Sequence, residues 1–114
     1  MIKRWHILAG LCLLNGFRRG LITGNVASIT GGMVKRHIPD LVLTDETPLD
    51  FLFIEPEDRE ALVFDLQRWF PAVRPYGMIA GIGFSKPELM DVVTRVCDEP
   101  ALYPEGDLWA ILKN

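Results

Sequence analysis

Apolar residues recur at helical spacing in four segments of this chain, and short continuous apolar runs stand between them. In the first segment Trp5, Leu8, Ala9, Leu11, Cys12 and Leu13 share a stripe, and Asn15-Gly16 supplies residues that accept a left-handed backbone at a helix end. A first helix is therefore predicted over Ile2 to Asn15. Gly20 to Gly24 (GLITG) reads as a strand closed by a tight turn, and Val26 to His37 as a second helix ended by Pro39. Leu41 to Thr44 and Phe51 to Ile54 read as strands, separated by the turn-rich Asp45-Glu46-Thr47-Pro48. Ala61, Leu62, Phe64, Leu66 and Trp69 give a third helix over Glu57 to Phe70, stopped by Pro71. A turn at Arg74 to Gly77 then leads into a buried strand, Met78 to Ile82. Ser85, Pro87 and Glu88 have the spacing of a capped start for a last helix running to about Cys97. The tail, Leu102 to Lys113, carries a turn at Pro104-Glu105-Gly106 and a strand Leu108 to Leu112, a terminal hairpin.

Alternating strands and helices predict an α/β sandwich of three layers around a mostly parallel sheet, closed by an antiparallel C-terminal hairpin. No repeat, low-complexity tract or linker divides residues 1–114, which read as one domain. The most informative segment is Leu49 to Glu60 (LDFLFIEPEDRE): an unbroken apolar strand ending in Glu55, Glu57, Asp58 and Glu60. A strand hydrophobic on both faces belongs inside a covered sheet, and such sheets bind ligands at the carboxyl ends of their strands.

Composition narrows the partners. Net charge is −3 and the basic residues fall in scattered pairs (Lys3-Arg4, Arg18-Arg19, Lys35-Arg36), which is no footprint for a nucleic-acid backbone. Cys12 and Cys97 sit in apolar helical settings, the pattern of buried thiols in a reduced, cytoplasmic protein. The basic head and apolar run of the first helix lack a small-residue cleavage site, so the segment reads as a core helix rather than a signal peptide. No stretch approaches the ~20 apolar residues that span a bilayer.

The chemistry-bearing candidates are few. Gly24-Asn25-Val26-Ala27-Ser28 is a glycine turn without the G-x-G-x-x-G of a dinucleotide site or the lysine of a phosphate loop. Glu55, Glu57 and Asp58 could serve acid/base or ligand roles, but acids also favour the first turn of a helix, the simpler role for Glu57 and Asp58. His6 and His37 are far apart in sequence and outside any Cys-x-x-Cys pattern, so no metal site is expected. Trp5, Trp69 and Trp109 lie in periodic apolar segments and read as packing residues.

Three stretches, Leu49 to Asp58 (LDFLFIEPED), Asp65 to Gly81 (DLQRWFPAVRPYGMIAG) and Gly106 to Lys113 (GDLWAILK), resemble the C-terminal half of class I S-adenosylmethionine-dependent methyltransferases. Arg4-Trp5, Ile7-Leu8, Asn15-Gly16-Phe17 and Arg19-Gly20 resemble the approach to that family's glycine-rich cofactor loop. The resemblance implies a reduced Rossmann-like fold with S-adenosylmethionine as cofactor. It places Gly24, Asn25 and Val26 beside the methionine part, Ser28 where another glycine is usual, Asp45 or Glu46 on the ribose hydroxyls, and Glu55 at the acidic end of the family's fourth strand. Ile22 stands where the first strand usually presents an acid, and Tyr76 replaces the first glycine of a "PGG" turn.

The connection between the family's second and fourth strands is the main departure. Five peptide steps from Asp45 to Asp50 reach at most about 18 Å. Returning along a strand of ~17 Å while stepping across two inter-strand spacings of about 9–10 Å needs roughly 20 Å, so the standard topology is expected not to close. Residues 41–54 as an antiparallel hairpin, residues 39–48 as an irregular connector, or an N-terminal part exchanged between subunits would each resolve this. A shortened sheet exposes an apolar edge, so a homodimer is expected. Three functions follow as expectations: a small methyltransferase of unspecified acceptor, a non-catalytic interaction module on the same fold, or a degenerate receiver-type domain. The last rests on Pro39 to Asp45 (PDLVLTD) and Ser85-Lys86-Pro87, with Mg²⁺-dependent phosphoacceptor chemistry at Asp45, although His6 to Gly10 lacks the acids that family needs.

Overall fold

The computed structural model describes residues 3–24, 26–97 and 99–113. Its centre is the segment singled out above: Leu49–Glu55 forms a strand in which every residue but Asp50 is buried. In chain order the elements are α1 (Arg4–Asn15), β1 (Arg19–Gly24), α2 (Ala27–His37), β2 (Val42–Leu43), β3 (Leu49–Glu55), α3 (Arg59–Trp69), β4 (Val73–Ile82), α4 (Pro87–Val96), β5 (Ala101–Tyr103) and β6 (Leu108–Leu112). They form one sheet of order β2-β1-β3-β4-β6-β5, parallel from β2 to β4 and antiparallel at β6 and β5.

Alternation along the central strands feeds two cores. Phe51, Phe53, Met78, Ala80, Leu108 and Ala110 face α1 and α2, where Leu8, Cys12 and Val34 meet them. Leu52, Ile54, Ile79 and Trp109 face α3 and α4 and pack on Leu62, Leu66, Leu89 and Val93. Each fully buried aliphatic or aromatic side chain contributes about 1.5–3 kcal/mol relative to exposure, so the two-sided burial of β3 fixes its central place. Cys12 and Cys97 fall in different cores on opposite faces of the sheet, and no disulfide joins them. Among the described residues no helix is long and apolar enough to cross a membrane.

Several helix ends follow the local chemistry. Gly16 closes α1 in the left-handed region (φ 68°), Asp58 caps α3 by accepting the Ala61 N–H at 2.9 Å, and Pro87 occupies the first turn of α4. Others differ from expectation. The N-cap of α4 is Lys86 without a side-chain cap; Ser85 precedes it, and its N–H donates to Asp107 Oδ1 at 2.9 Å. The segment Arg74 to Gly77 is not a turn: it belongs to β4, whose ladder shifts register beside it, and Tyr76 takes φ 66° while its N–H donates to the Lys113 carbonyl.

The parallel connection expected not to close does close. It needs no hairpin and no exchanged N-terminus. β2 is two residues long and pairs only with the start of β1, Val42 with Arg19 and Leu43 with Gly20. Phe51 of β3 is also opposite Gly20, so β3 begins only two residues below the level at which β2 ends. The return is then about 7 Å along the strand direction rather than ~17 Å. Combined with two inter-strand steps this spans roughly 12 Å, within reach of the connector 44–48. The connector, which contains a cis Thr47–Pro48 bond, passes the amino end of β1, where Arg19 Nη2 donates to the Glu46 carbonyl at 3.2 Å. Of the three arrangements considered, the irregular connector is nearest to this.

Candidate functional site

The carboxyl ends of β1 and β3 lie side by side, with Gly24 in register with Glu55. Gly24 has φ 118°, and a Cβ there would meet the Glu55 carbonyl oxygen at 2.2 Å, so glycine is required for the chain to turn into α2 beside β3. The sequence reading of Gly24 as a special turn residue holds for this steric reason. Asn25, also assigned to the cofactor turn, lies outside the described residues. Val26 follows as the exposed N-cap residue of α2.

Glu55 is the unusual group of this edge. It is 4% exposed at the end of a wholly apolar run, and its Oε2 accepts a hydrogen bond from Arg4 Nε at the start of α1. Its other oxygen, Oε1, is buried without a hydrogen-bond partner among the described residues. Removing the guanidinium from such a pair strands a buried charge, which typically costs 3–5 kcal/mol. Arg4 also lies over the Trp5 ring, 5.1 Å from its centroid, and Trp5 Nε1 is a second buried polar atom without a partner. Arg4 was not among the site residues nominated from sequence, because a contact across 51 positions leaves no local signal.

A groove of about 310 Å³ opens beside this edge, lined by Ile22, Ala27, Ser28, Leu43, Thr44 and Asp45. It brings Ser28 and Asp45 together, both exposed, although they come from the start of α2 and the end of β2. Glu46 is not part of this groove. Its carboxylate lies 3.8 Å from Arg19 Nη2 at the amino end of β1, because β2 stops level with Gly20, four residues (~13 Å) short of Gly24. Ile22, which stands where an acid is usual in the family, is half-buried against α2 with Leu43. On the opposite face Thr23 Oγ1 donates to Asp65 Oδ2 at 3.0 Å, tying the end of β1 to α3.

Of the remaining acids, Asp58 is committed to capping α3 and Glu57 is exposed beyond the strand end. His6 and His37, distant in sequence, are neighbours in space: their rings meet edge to face at 5.3 Å between centroids, and His6 Nδ1 accepts the Lys3 N–H at 3.0 Å. Among the described residues no group of three His, Cys, Asp or Glu side chains is placed to hold a metal ion. The receiver-type arrangement is an all-parallel sheet of order 2-1-3-4-5. Here an antiparallel β6 lies between β4 and β5.

No protein-family model matches this chain, and no curated protein matches it. Among solved structures it is similar to a Staphylococcus aureus protein provisionally named a caffeoyl-CoA O-methyltransferase, with a TM-score of 0.72 over 100% of this chain and 85% of that one, at 11% identity. At that identity the likeness speaks for architecture alone, and it agrees with the strand order and the antiparallel closing strand. The chain has the Rossmann-like fold of class I methyltransferases.

Proposed function

We propose that this chain is an S-adenosylmethionine-binding, methyltransferase-like domain that works as a homodimer. The cofactor lies across the carboxyl ends of β1 and β3, its nucleoside toward the groove of Ser28 and Asp45 and its amino-acid part toward Gly24 and Glu55. The observation that carries this reading is the register of Gly24 with a buried, half-satisfied Glu55 at the carboxyl edge of a methyltransferase-type sheet. Ligands of open α/β sheets sit at that edge, and a buried polar atom without a partner calls for one, which a bound ligand at this edge would supply. S-adenosylmethionine, when bound, supplies an electrophilic methyl group. The residues here contribute binding and orientation, the part of such chemistry that a protein scaffold provides.

One observation favours a second reading, a binding module without turnover. β2 is two residues long and no further strand flanks it among the described residues, so the groove is open on the side where an adenine would need cover. Both readings share ligand binding as their first requirement. Calorimetric titration with S-adenosylhomocysteine is expected to give a dissociation constant in the micromolar range, weakened about tenfold or more by Asp45→Ala, which removes an exposed carboxylate from the groove. Absence of heat at millimolar ligand rejects cofactor binding. Binding without methyl transfer to any acceptor selects the second reading.

A further inference from the structure

On the α1 face of the sheet, the helix and the C-terminal hairpin leave a gap between them. A groove of about 500 Å³ occupies it, lined by Leu11 and Asn15 of α1, Met78 of β4, Tyr103 of β5, Leu112 of β6, and Glu99 just before β5. Small-molecule sites have volumes of about 300–1,000 Å³. The groove lies apart from the proposed cofactor edge: Met78 is opposite Phe51, and Glu55 stands four residues (~13 Å) further along β3. Strand register supplies an apolar floor. Leu112 pairs with the buried Met78, shares the face of Ala110 two residues before it, and is still 54% exposed, so it has apolar area left to bury.

The polar groups around that floor select the charge of the ligand. Glu99 is the one charged residue among those that line the groove, and no ion pair engages it among the described residues. Asn15 spends its Nδ2 on the Leu11 carbonyl at 2.8 Å, which leaves its carboxamide oxygen as an acceptor. Tyr103 adds a hydroxyl, also able to accept, and an aromatic ring of the kind that attracts cations. Acceptors and a negative charge thus surround an apolar surface, an arrangement that draws a cationic donor and repels a carboxylate. We propose that this groove binds a small primary ammonium ion carried on an aromatic or aliphatic body. The body lies on Leu11, Met78 and Leu112, and the ammonium donates to Glu99 and Asn15. This second site goes beyond the cofactor reading and stands independently of it.

The test uses three probes that share an indole body and differ at the end of the side chain: tryptamine (ammonium), tryptophol (hydroxyl) and indole-3-propionate (carboxylate). By calorimetry on the full chain, tryptamine is expected to bind with a dissociation constant on the order of 1 mM, the scale for a ligand of its size. It should bind about fivefold tighter than tryptophol, the upper scale of an exposed ion pair, and indole-3-propionate should be weakest. Glu99→Gln removes the charge at an exposed position and should bring tryptamine to the level of tryptophol. Raising salt from about 0.05 to 0.5 M should shrink the preference in the wild type alone. Leu112→Arg places a cation on the floor and should abolish tryptamine binding; if it fails to fold by circular dichroism, Glu99→Gln decides. In protein labelled at the methionine methyls, the Met78 signal, identified by its loss in Met78→Leu, should shift with tryptamine. Absence of tryptamine binding, equal affinity for all three probes, or a preference that Glu99→Gln retains overturns the site. Binding that leaves the Met78 methyl unmoved, or that S-adenosylhomocysteine displaces, places the amine elsewhere and overturns it too. If Leu112→Arg halves the mass of a dimeric chain, a second copy occupies the groove and the proposal falls. Failure of S-adenosylhomocysteine to bind leaves all of these readouts in force, so the two proposals fall separately.

Discussion

Asp50 organises the amino edge of the sheet, opposite the proposed site. Its Oδ2 accepts the backbone N–H groups of Arg18 at 2.7 Å and Arg19 at 2.9 Å, and its Oδ1 accepts Arg74 Nε at 2.8 Å. Burial alone would raise the pKa of this carboxyl. The Arg18 N–H, the Arg74 guanidinium and the Arg19 N–H outweigh it, and the net shift is downward from 3.8. A lowered folded-state pKa means that the unfolded chain takes up its proton first as the solution is acidified. The stabilisation is complete above the unfolded value of about 3.9 and is lost as pH falls from there through the folded pKa. Asp50→Ala should therefore cost about 1–3 kcal/mol at pH 7, where two N–H donors and a guanidinium lose their acceptor. In urea unfolding followed from pH 7 to pH 3, the gap between wild type and variant should narrow at the acid end. A gap that stays constant refutes this account. The same carboxylate acts on Cys12: burial first, then the Asp50 charge, push that thiol up to about 12, which keeps it neutral and unreactive as a nucleophile at ordinary pH.

At the scale of elements, β4 contains the clearest local conflict between residue and backbone. Tyr76, 74% exposed, holds φ 66°, a conformation that costs an L-residue about 1–2 kcal/mol. The Lys113 carbonyl imposes it by accepting the Tyr76 N–H, while the Lys113 N–H donates to the Gly77 carbonyl, so the shifted strand is locked to the C-terminal end of β6. Tyr76→Gly keeps both bonds and removes the strain. It should raise stability by about 0.5–1 kcal/mol after the entropic cost of glycine, read from urea unfolding at neutral pH. A destabilised variant would show that ring contacts outweigh the strain. This strand also shows what the sequence could not disclose. Arg74-Pro75-Tyr76-Gly77 has turn chemistry, yet tertiary pairing draws it into β4. Features set within a few residues were legible, namely the glycine at Gly16, the stops at Pro39 and Pro71 and the cap at Asp58, because each acts through its neighbours alone. Gly24, Ser28, Asp45 and Glu55 stood out from residue type and local context for the same reason, and their roles toward a ligand belong to the proposal above. The two-residue length of β2, the displacement of Glu46 to the amino edge, the meeting of His6 with His37 and the Arg4–Glu55 pair depend on register and long-range contact, and no local pattern encodes them.

For the whole molecule, the shortened β2 end leaves a sheet unequally covered. Two helices cover each face, and beyond β1 the α3 side thins out. Leu21 is half-buried there and Val42 is 49% exposed. The register of Arg19 with Val42 places Val42 on the same face as Leu21. Burial of apolar area contributes about 25 cal/mol per Å², and isologous pairing of one such patch with its copy is the simplest closed assembly. It is the physical basis for the proposed homodimer. Light scattering at tens to hundreds of micromolar should give twice the 12.9 kDa of the single chain, and Val42→Lys should return it to one. Lysine suits this position because the side chain is solvent-exposed on an edge strand, where a charge blocks pairing at little cost to the fold. A mass of one chain for the wild type at every concentration would remove the dimer and leave the apolar end as plain surface. A dimer that persists in Val42→Lys would place the interface elsewhere. The first candidate is then the far side of the molecule, where the 500 Å³ groove of Leu11, Tyr103 and Leu112 lies beside the exposed Leu14.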